Sequence, residues 1–483
     1  MEPAPQSQSP ASRSLSHNAR RLLGIVVPLA AGLALRMFMV HWLYEANGDS
    51  LVYGGIAKNL ILHGRYALTT GSGEVYPTLI RLPGYPLFLA LAFRLFGIEN
   101  YYAAACLQIP IDLAGCLLLA GFVRRIVPPR FQSGAAGATL WLAALCPFTA
   151  SYTAFPLSET LSLFALSLAL WSMACFRDHP RWKYALWFTF AVCFAALLRP
   201  DGALAAAAFA PALIFGHPSS KIAPAKLARM ALVCIALVLI PFAAWTWRNW
   251  RTFHVFQPLA PRLATDPDEA PTPGWESWVK SWSLDFITTD EIYWNVPGDV
   301  LDVAALPSRA FDSPAQYAET RTLADDYNAG NYEITPAIDA RFAQLARQRI
   351  AAHPMRYYLW LPLGRVADMW LRPRIENLPI DLDWWVYRHH MAETRFGWSW
   401  AALNAIYLLL AFAGLCMRPR YSAALAAYML LRSALLLTIE APEARYTLEC
   451  FPMLFVLGGV ALYRLIYVVF LSAAKVKASF GKA

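Results

Sequence analysis

The sequence predicts an all-α polytopic membrane protein of about ten transmembrane helices, with interfacial helices in its first external connection and a small external domain. Three observations carry this expectation. Hydrophobic residues make up 58% of the 483-residue chain against 15% charged, and the mean hydropathy is +0.39, beyond what a soluble domain carries. Apolar runs long enough to cross a hydrocarbon core of roughly 30 Å recur along the chain. Lys and Arg collect in every second connection, as short cytoplasmic loops require.

The spans are expected near 22–43, 101–123, 134–151, 158–176, 183–198, 203–216, 228–246, 397–416, 422–439 and 447–470. The first follows Arg13, Arg20 and Arg21 and stays apolar from Leu22 through Trp42, so it reads as an uncleaved span and not as a signal peptide. The basic connections continue with Arg124, Arg125 and Arg130, then Arg177, Arg181 and Lys183, then Lys221, Lys226 and Arg229. Arg418 and Arg420, and finally Lys475, Lys477 and Lys482, complete the series. Ten spans with both termini inside satisfy all of these. The net charge of +9 is then a matter of topology, and no nucleic-acid partner is called for. Tyr44, Tyr101, Tyr102, Trp245, Trp247, Trp398 and Trp400 are expected as interfacial anchors.

Two connections exceed simple loops and divide the chain. Residues 1–246 form an N-terminal transmembrane module whose first external loop, 45–100, holds two helical pieces. Val52, Tyr53, Ile56, Ala57, Leu60 and Ile61 recur at helical spacing after Asp49, and Pro86 to Phe96 is apolar but too short to cross. Residues 247–396 form an acid-leaning external region, with Asp266, Asp268, Glu269, Asp285, Asp290, Asp299 and Asp302, and residues 397–483 return to the membrane. Inside the external region, 340–374 reads as one long interfacial helix. Crossing there would bury Arg365 and Asp368 at roughly 2.5–3.5 kcal/mol each and would invert the C-terminal charges.

All eight cysteines lie in or beside apolar runs, so they are core residues and not a disulfide framework. Histidines are scattered apart from His389 and His390, and no zinc-ligand spacing or phosphate-binding Gly-rich loop occurs.

The charged motifs at the predicted outer ends of spans are the candidates for chemistry, and each has a structural alternative. Asp49 starts an amphipathic helix and could serve as its N-cap. Glu159 and Asp201 could cap helices or pair with arginines. Arg248 and Asn249 could end the seventh span by reaching headgroups, and Arg445 could pair locally with Glu440 or Glu443. Arg36, inside the first span, calls for a cavity or a partner.

The strings Gly48-Asp49-Ser50, Gly64-Arg65-Tyr66 and Arg81-Leu82-Pro83-Gly84-Tyr85-Pro86 resemble the first external loop of bacterial GT-C glycosyltransferases. This family includes protein O-mannosyltransferases and the aminoarabinose transferases of lipid A. The resemblance continues through Pro156-Leu157-Ser158-Glu159-Thr160, Leu198-Arg199-Pro200-Asp201-Gly202, Trp247-Arg248-Asn249-Trp250 and Arg445-Tyr446 to Pro452. It implies a GT-C fold in a bacterial inner membrane and transfer of sugar from a polyprenyl-phosphate donor, with inversion, at the non-cytoplasmic face. The acceptor would be a glycan, lipid or protein hydroxyl.

Such chemistry needs a carboxylate to take the hydroxyl proton and cations to hold the leaving phosphate. The resemblance assigns Asp49 as the base with Glu159 beside it. Arg81, Tyr85, Arg199, Asp201, Arg248, Asn249, Arg445 and Tyr446 are assigned to substrate. Members often carry two adjacent acids where this chain has Asp49 followed by Ser50, so no cofactor is assigned and a divalent cation is left open. A secondary transporter or lipid-carrier flippase is the alternative class; it would place ionisable residues near mid-membrane on repeated, broken helices.

Overall fold

The computed structural model describes residues 10–215, 223–261, 271–385 and 390–480; Lys221, Asp266, Asp268, Glu269, His389 and Lys482 lie outside the described residues, as do the side chains of Arg13, Arg20, Arg21, Lys475 and Lys477. Ten helical segments coincide with the ten expected spans. They are α1 (Pro10–Leu43), α4 (Tyr101–Ile126), α5 (Gln132–Ala144) with the short α6 (Pro147–Ser151), α7 (Glu159–Asp178), α8 (Trp182–Leu198), α9 (Leu204–Phe215), α10 (Pro224–Phe253), α16 (Met391–Cys416), α17 (Ser422–Leu436) and α18 (Phe451–Phe480). Six of these segments are long and apolar enough to cross a membrane by length and composition.

Local chemistry sets their ends. Asn100 caps α4 by accepting from the Ala103 amide at 3.0 Å. The third expected span breaks into α5 and α6 because Pro147 offers no amide to continue the helix and disfavours helical geometry at Cys146. In the last expected span, a 3-10 stretch (Ala444–Cys450) precedes α18. The main core is formed where α18 packs on α5 and α16, and α4 on α5 and α7.

Arg36 meets a partner. It is fully buried and pairs with Asp112 of α4, while its remaining donors reach the Gly32 carbonyl at 3.0 Å and the Ala144 carbonyl at 2.6 Å. All eight cysteines are free thiols; five are buried as expected of core residues, but Cys106 and Cys234 are half-buried and Cys416, at the end of α16, is exposed.

At one end of the bundle the 44–100 connection folds into α2 (Asp49–His63), a two-stranded hairpin and α3 (Gly84–Phe96). The hairpin, β1 (Ala67–Thr69) and β2 (Val75–Pro77), is antiparallel with Leu68 opposite Tyr76. Asn59 ties it to α2 by donating to the Ala67 carbonyl at 3.0 Å. Gly84 lets α3 approach the end of α8, since a Cβ there would stand 2.6 Å from the Leu197 carbonyl oxygen. That approach fixes the loop carrying Arg81.

The region after α10 holds α11 (Pro273–Lys280), α12 (Phe286–Thr288), α13 (Pro314–Ala329), α14 (Pro336–Ala352) and α15 (Leu361–Leu371). It has its own core of Trp275, Trp278, Trp282, Tyr327 and Phe342. The expected single helix over 340–374 is instead two, α14 and α15, joined by a π-helical turn (Arg356–Trp360). Pro354 breaks it, and His353 takes φ −138° and ψ 65°. Arg365 is fully buried, donating to the carbonyls of Ser283 at 3.0 Å, Ile439 at 2.9 Å and Lys280, so α15 is fastened to the end of α11 and to the turn after α17 by its charge.

Candidate active site

Asp49, Arg81 and Arg445 converge from three places in the sequence. Asp49 is the first helical residue of α2, and the cap position belongs to Gly48, whose φ of +44° favours glycine. The Asp49 side chain makes no capping bond. It accepts from Arg81 Nη2 at 2.5 Å and from Arg445 Nη2 at 3.4 Å. Arg445, on the 3-10 stretch, also pairs with Glu443 through Nε at 2.5 Å; the expected local pairing holds for Glu443, whereas Glu440 pairs with Lys280.

A second tier lies deeper. Glu159 opens α7 and accepts from Arg199 at 3.0 Å; Arg199 also faces Asp201 at 3.6 Å and Glu449 at 3.3 Å. Gly202, whose Cβ would meet the Ala195 carbonyl at 2.2 Å, allows the tight turn that directs Asp201 inward. Arg432 of α17, fully buried, pairs with both Asp201 and Glu449. The Tyr446 ring lies near the Arg199 and Arg445 guanidiniums, 5.5 and 5.6 Å from its centroid, and its hydroxyl donates to Glu443. Such cation–ring contacts stiffen the guanidiniums without consuming their donors.

Exposure separates the tiers. The side chains of Asp49 and Arg81 are 29% and 31% exposed, whereas those of Glu159 and Glu449 are 3%. Burial alone would raise the Asp49 carboxyl, but Arg81 and then Arg445 outweigh it and hold it below the usual aspartate range. Burial opposes the charge on Asp201 too, and Arg432 and Arg199 likewise bring it down. Glu443 goes the other way: its burial exceeds the pull of Arg445.

Arg445 and Glu443 border a cavity of about 490 Å³. Trp42, Tyr44, Tyr152 and Phe155 of the bundle line it together with Phe286, Asp290, Trp294 and Glu376 of the region after α10. This mix of aromatic walls with a few polar groups is what small polar ligands require.

The remaining expected site residues fall elsewhere. Tyr85 is fully buried in the packing between α3 and α4, donating to Gln108 at 3.0 Å, and does not line the cavity. Arg248 and Asn249 lie outside the acid and guanidinium cluster. Arg248 donates to the carbonyls of Thr78 and Tyr66, both at 2.6 Å, and Asn249 donates to that of Gln257 at 2.8 Å. Arg432, Glu449 and Glu376 were missed in the sequence. A charge inside an otherwise apolar run, the signal that flagged Arg36, would have found Arg432.

Among the described residues, no group of three or more His, Cys, Asp or Glu is placed to hold a metal ion. The two carboxylate oxygens of Asp49 are engaged by Arg81 and Arg445.

The fold is of the GT-C type. Residues 80–245, about a third of the chain, match the family model of dolichyl-phosphate-mannose-protein mannosyltransferases. Among solved structures the chain is similar to the oligosaccharyltransferase AglB of Archaeoglobus fulgidus, in complex with an inhibitory peptide and a dolichol-phosphate. That match has a TM-score of 0.50 and 12% identity over 96% of this chain and 52% of that one. This chain thus spans about half the length of that relative. ArnT of Cupriavidus metallidurans is a looser match, with a TM-score of 0.40 and 15% identity over 91% of this chain and 76% of that one. No curated protein matches the sequence.

Proposed function

We propose that the protein transfers a sugar from a polyprenyl-phosphate carrier to an acceptor hydroxyl at the non-cytoplasmic face of a bacterial inner membrane, with Asp49 as general base. The observation that carries this reading is the meeting of Asp49 with Arg81 and Arg445 beside an aromatic-walled cavity. The presence of dolichol-phosphate with the archaeal protein of the same fold supports the donor class.

The acceptor oxygen attacks the anomeric carbon while the bond from that carbon to the phosphate oxygen breaks, so the configuration inverts. The electron pair leaves with the polyprenyl phosphate, whose added negative charge Arg81 and Arg445 hold by charge-assisted hydrogen bonds. Asp49 takes the hydroxyl proton as the new bond forms. A carboxylate kept ionised by guanidiniums is a weak base towards a free alcohol. It suffices once the forming bond has made that proton acidic. Glu159 and Asp201 act from below by fixing Arg199, and the acceptor is a glycan, lipid or protein hydroxyl.

The test is transfer of radiolabelled sugar from a polyprenyl-phosphate donor by the purified chain in liposomes, with envelope glycans, lipids and peptides offered in turn. Label moving to one acceptor class with release of polyprenyl phosphate is the expected result. Movement of the intact donor across the bilayer without transfer would favour a flippase.

A further inference from the structure

Arg248 has the charge of a phosphate ligand and the contacts of a clamp. Its two terminal nitrogens are engaged by main-chain oxygens of one segment, Nη1 to Thr78 and Nη2 to Tyr66, both at 2.6 Å, with Nη1 also donating to Asn249 Oδ1 at 3.0 Å. Aromatic rings surround the guanidinium: Tyr66, Trp245 and Phe253, with centroids 5.2 to 5.3 Å away. Three of its five N–H donors are thus spent within the chain, and both terminal nitrogens, the fork that would grip a phosphate, are already engaged.

What it clamps leads directly to Arg81. Tyr66 and Thr78 are cross-linked at the base of the hairpin, the Thr78 amide donating to the Tyr66 carbonyl at 3.3 Å. The Tyr66 hydroxyl donates to the Arg81 carbonyl at 2.9 Å, and the Thr78 hydroxyl accepts from the Ile80 amide at 3.2 Å. Arg81 then reaches Asp49. One end of α10 is thereby coupled, through two backbone carbonyls and one phenol, to the guanidinium that faces the proposed base.

We infer that Arg248 is a positioning residue, which sets the place of Arg81 against Asp49 by holding the 66–81 hairpin, and is not a ligand of the donor phosphate. This rests on the proposed function for its kinetic consequence, but not for its structural one. The groups that face Asp49 are Arg81, Arg445, Arg199, Glu443 and Tyr53, and of these the clamp governs Arg81. Loosening the clamp moves a cation away from Asp49 and leaves the others in place.

The test uses the full chain in detergent or liposomes. In Arg248→Ala, hydrogen exchange of the 66–81 segment is expected to quicken about tenfold or more while that of α7 and α18 stays unchanged. The acid limb of sugar transfer against pH moves up by about one pH unit, the lower end of what a neighbouring cation exerts. Tyr66→Phe, which removes no charge, shifts the limb in the same direction. In a double-mutant cycle Arg248→Ala costs about tenfold or more in kcat/KM alone and less than about twofold on top of Arg81→Ala. Unchanged exchange of 66–81 in Arg248→Ala would overturn the inference, as would an undiminished loss in the Arg81→Ala background. Absence of transfer in the unaltered chain would instead count against the proposed function, and the exchange result would still decide the role of Arg248.

Discussion

The pair Arg36 with Asp112 and the cluster of Asp49 with Arg81 and Arg445 use the same chemistry in opposite ways. In the first, both partners are buried, and the guanidinium donors left over are absorbed by carbonyls of α1 and α5. In the second, one carboxylate stands between two guanidiniums, all partly exposed, and one of those guanidiniums, Arg445, lines a cavity. A closed pair holds helices together, whereas an open one can exchange its partner for a substrate. Arginine beside an acid is therefore not a signature of catalysis; donor capacity facing a cavity is the better guide.

Mutation should separate the two regions. Asp49→Asn is expected to cost the most, about 10²- to 10⁴-fold in sugar transfer, with the thermal midpoint in detergent little changed. Next is Arg36→Met, which leaves Asp112 buried without its cation and should destabilise by about 3–5 kcal/mol, read by thermal unfolding. Adding Asp112→Leu should recover most of that loss, and the protein that folds should transfer sugar normally.

A smaller effect concerns pH. The Asp49 carboxyl is held down by Arg81, so its contribution to stability and its capacity as a base are present at neutral pH and lost as pH falls through the depressed value. Arg81→Ala should move the acid limb of activity upward by about 1–3 units, measured as kcat/KM against pH. The smallest effect is expected at the partly exposed pair of Arg356 with Asp312, where Arg356→Ala should cost about 1 kcal/mol, and less in high salt.

The helices were legible because hydrophobicity and basic loops are dense signals: each of the ten apolar runs became a helical segment. Where a single residue decides, they failed. Apolar periodicity runs on through His353 and Pro354, so the break between α14 and α15 was hidden by the pattern around it. Asp49 and Arg445, 396 residues apart, were each visible at a span end, yet their meeting depends on the turn before α18 and the packing of α2. Arg432 and Glu449 were overlooked since the apolar runs around them average their charges away. Arg248 looked like Arg445 in sequence. Only the direction of its nitrogens, toward Thr78 and Tyr66, tells them apart.

The most direct measurement is transfer of labelled sugar from a polyprenyl-phosphate donor by three reconstituted proteins: the unaltered chain, Asp49→Asn, and Arg36→Met with Asp112→Leu. Transfer by the first and third, and its loss in the second with donor binding retained, is the expected result. Undiminished transfer by Asp49→Asn would contradict the assignment of Asp49 as the base.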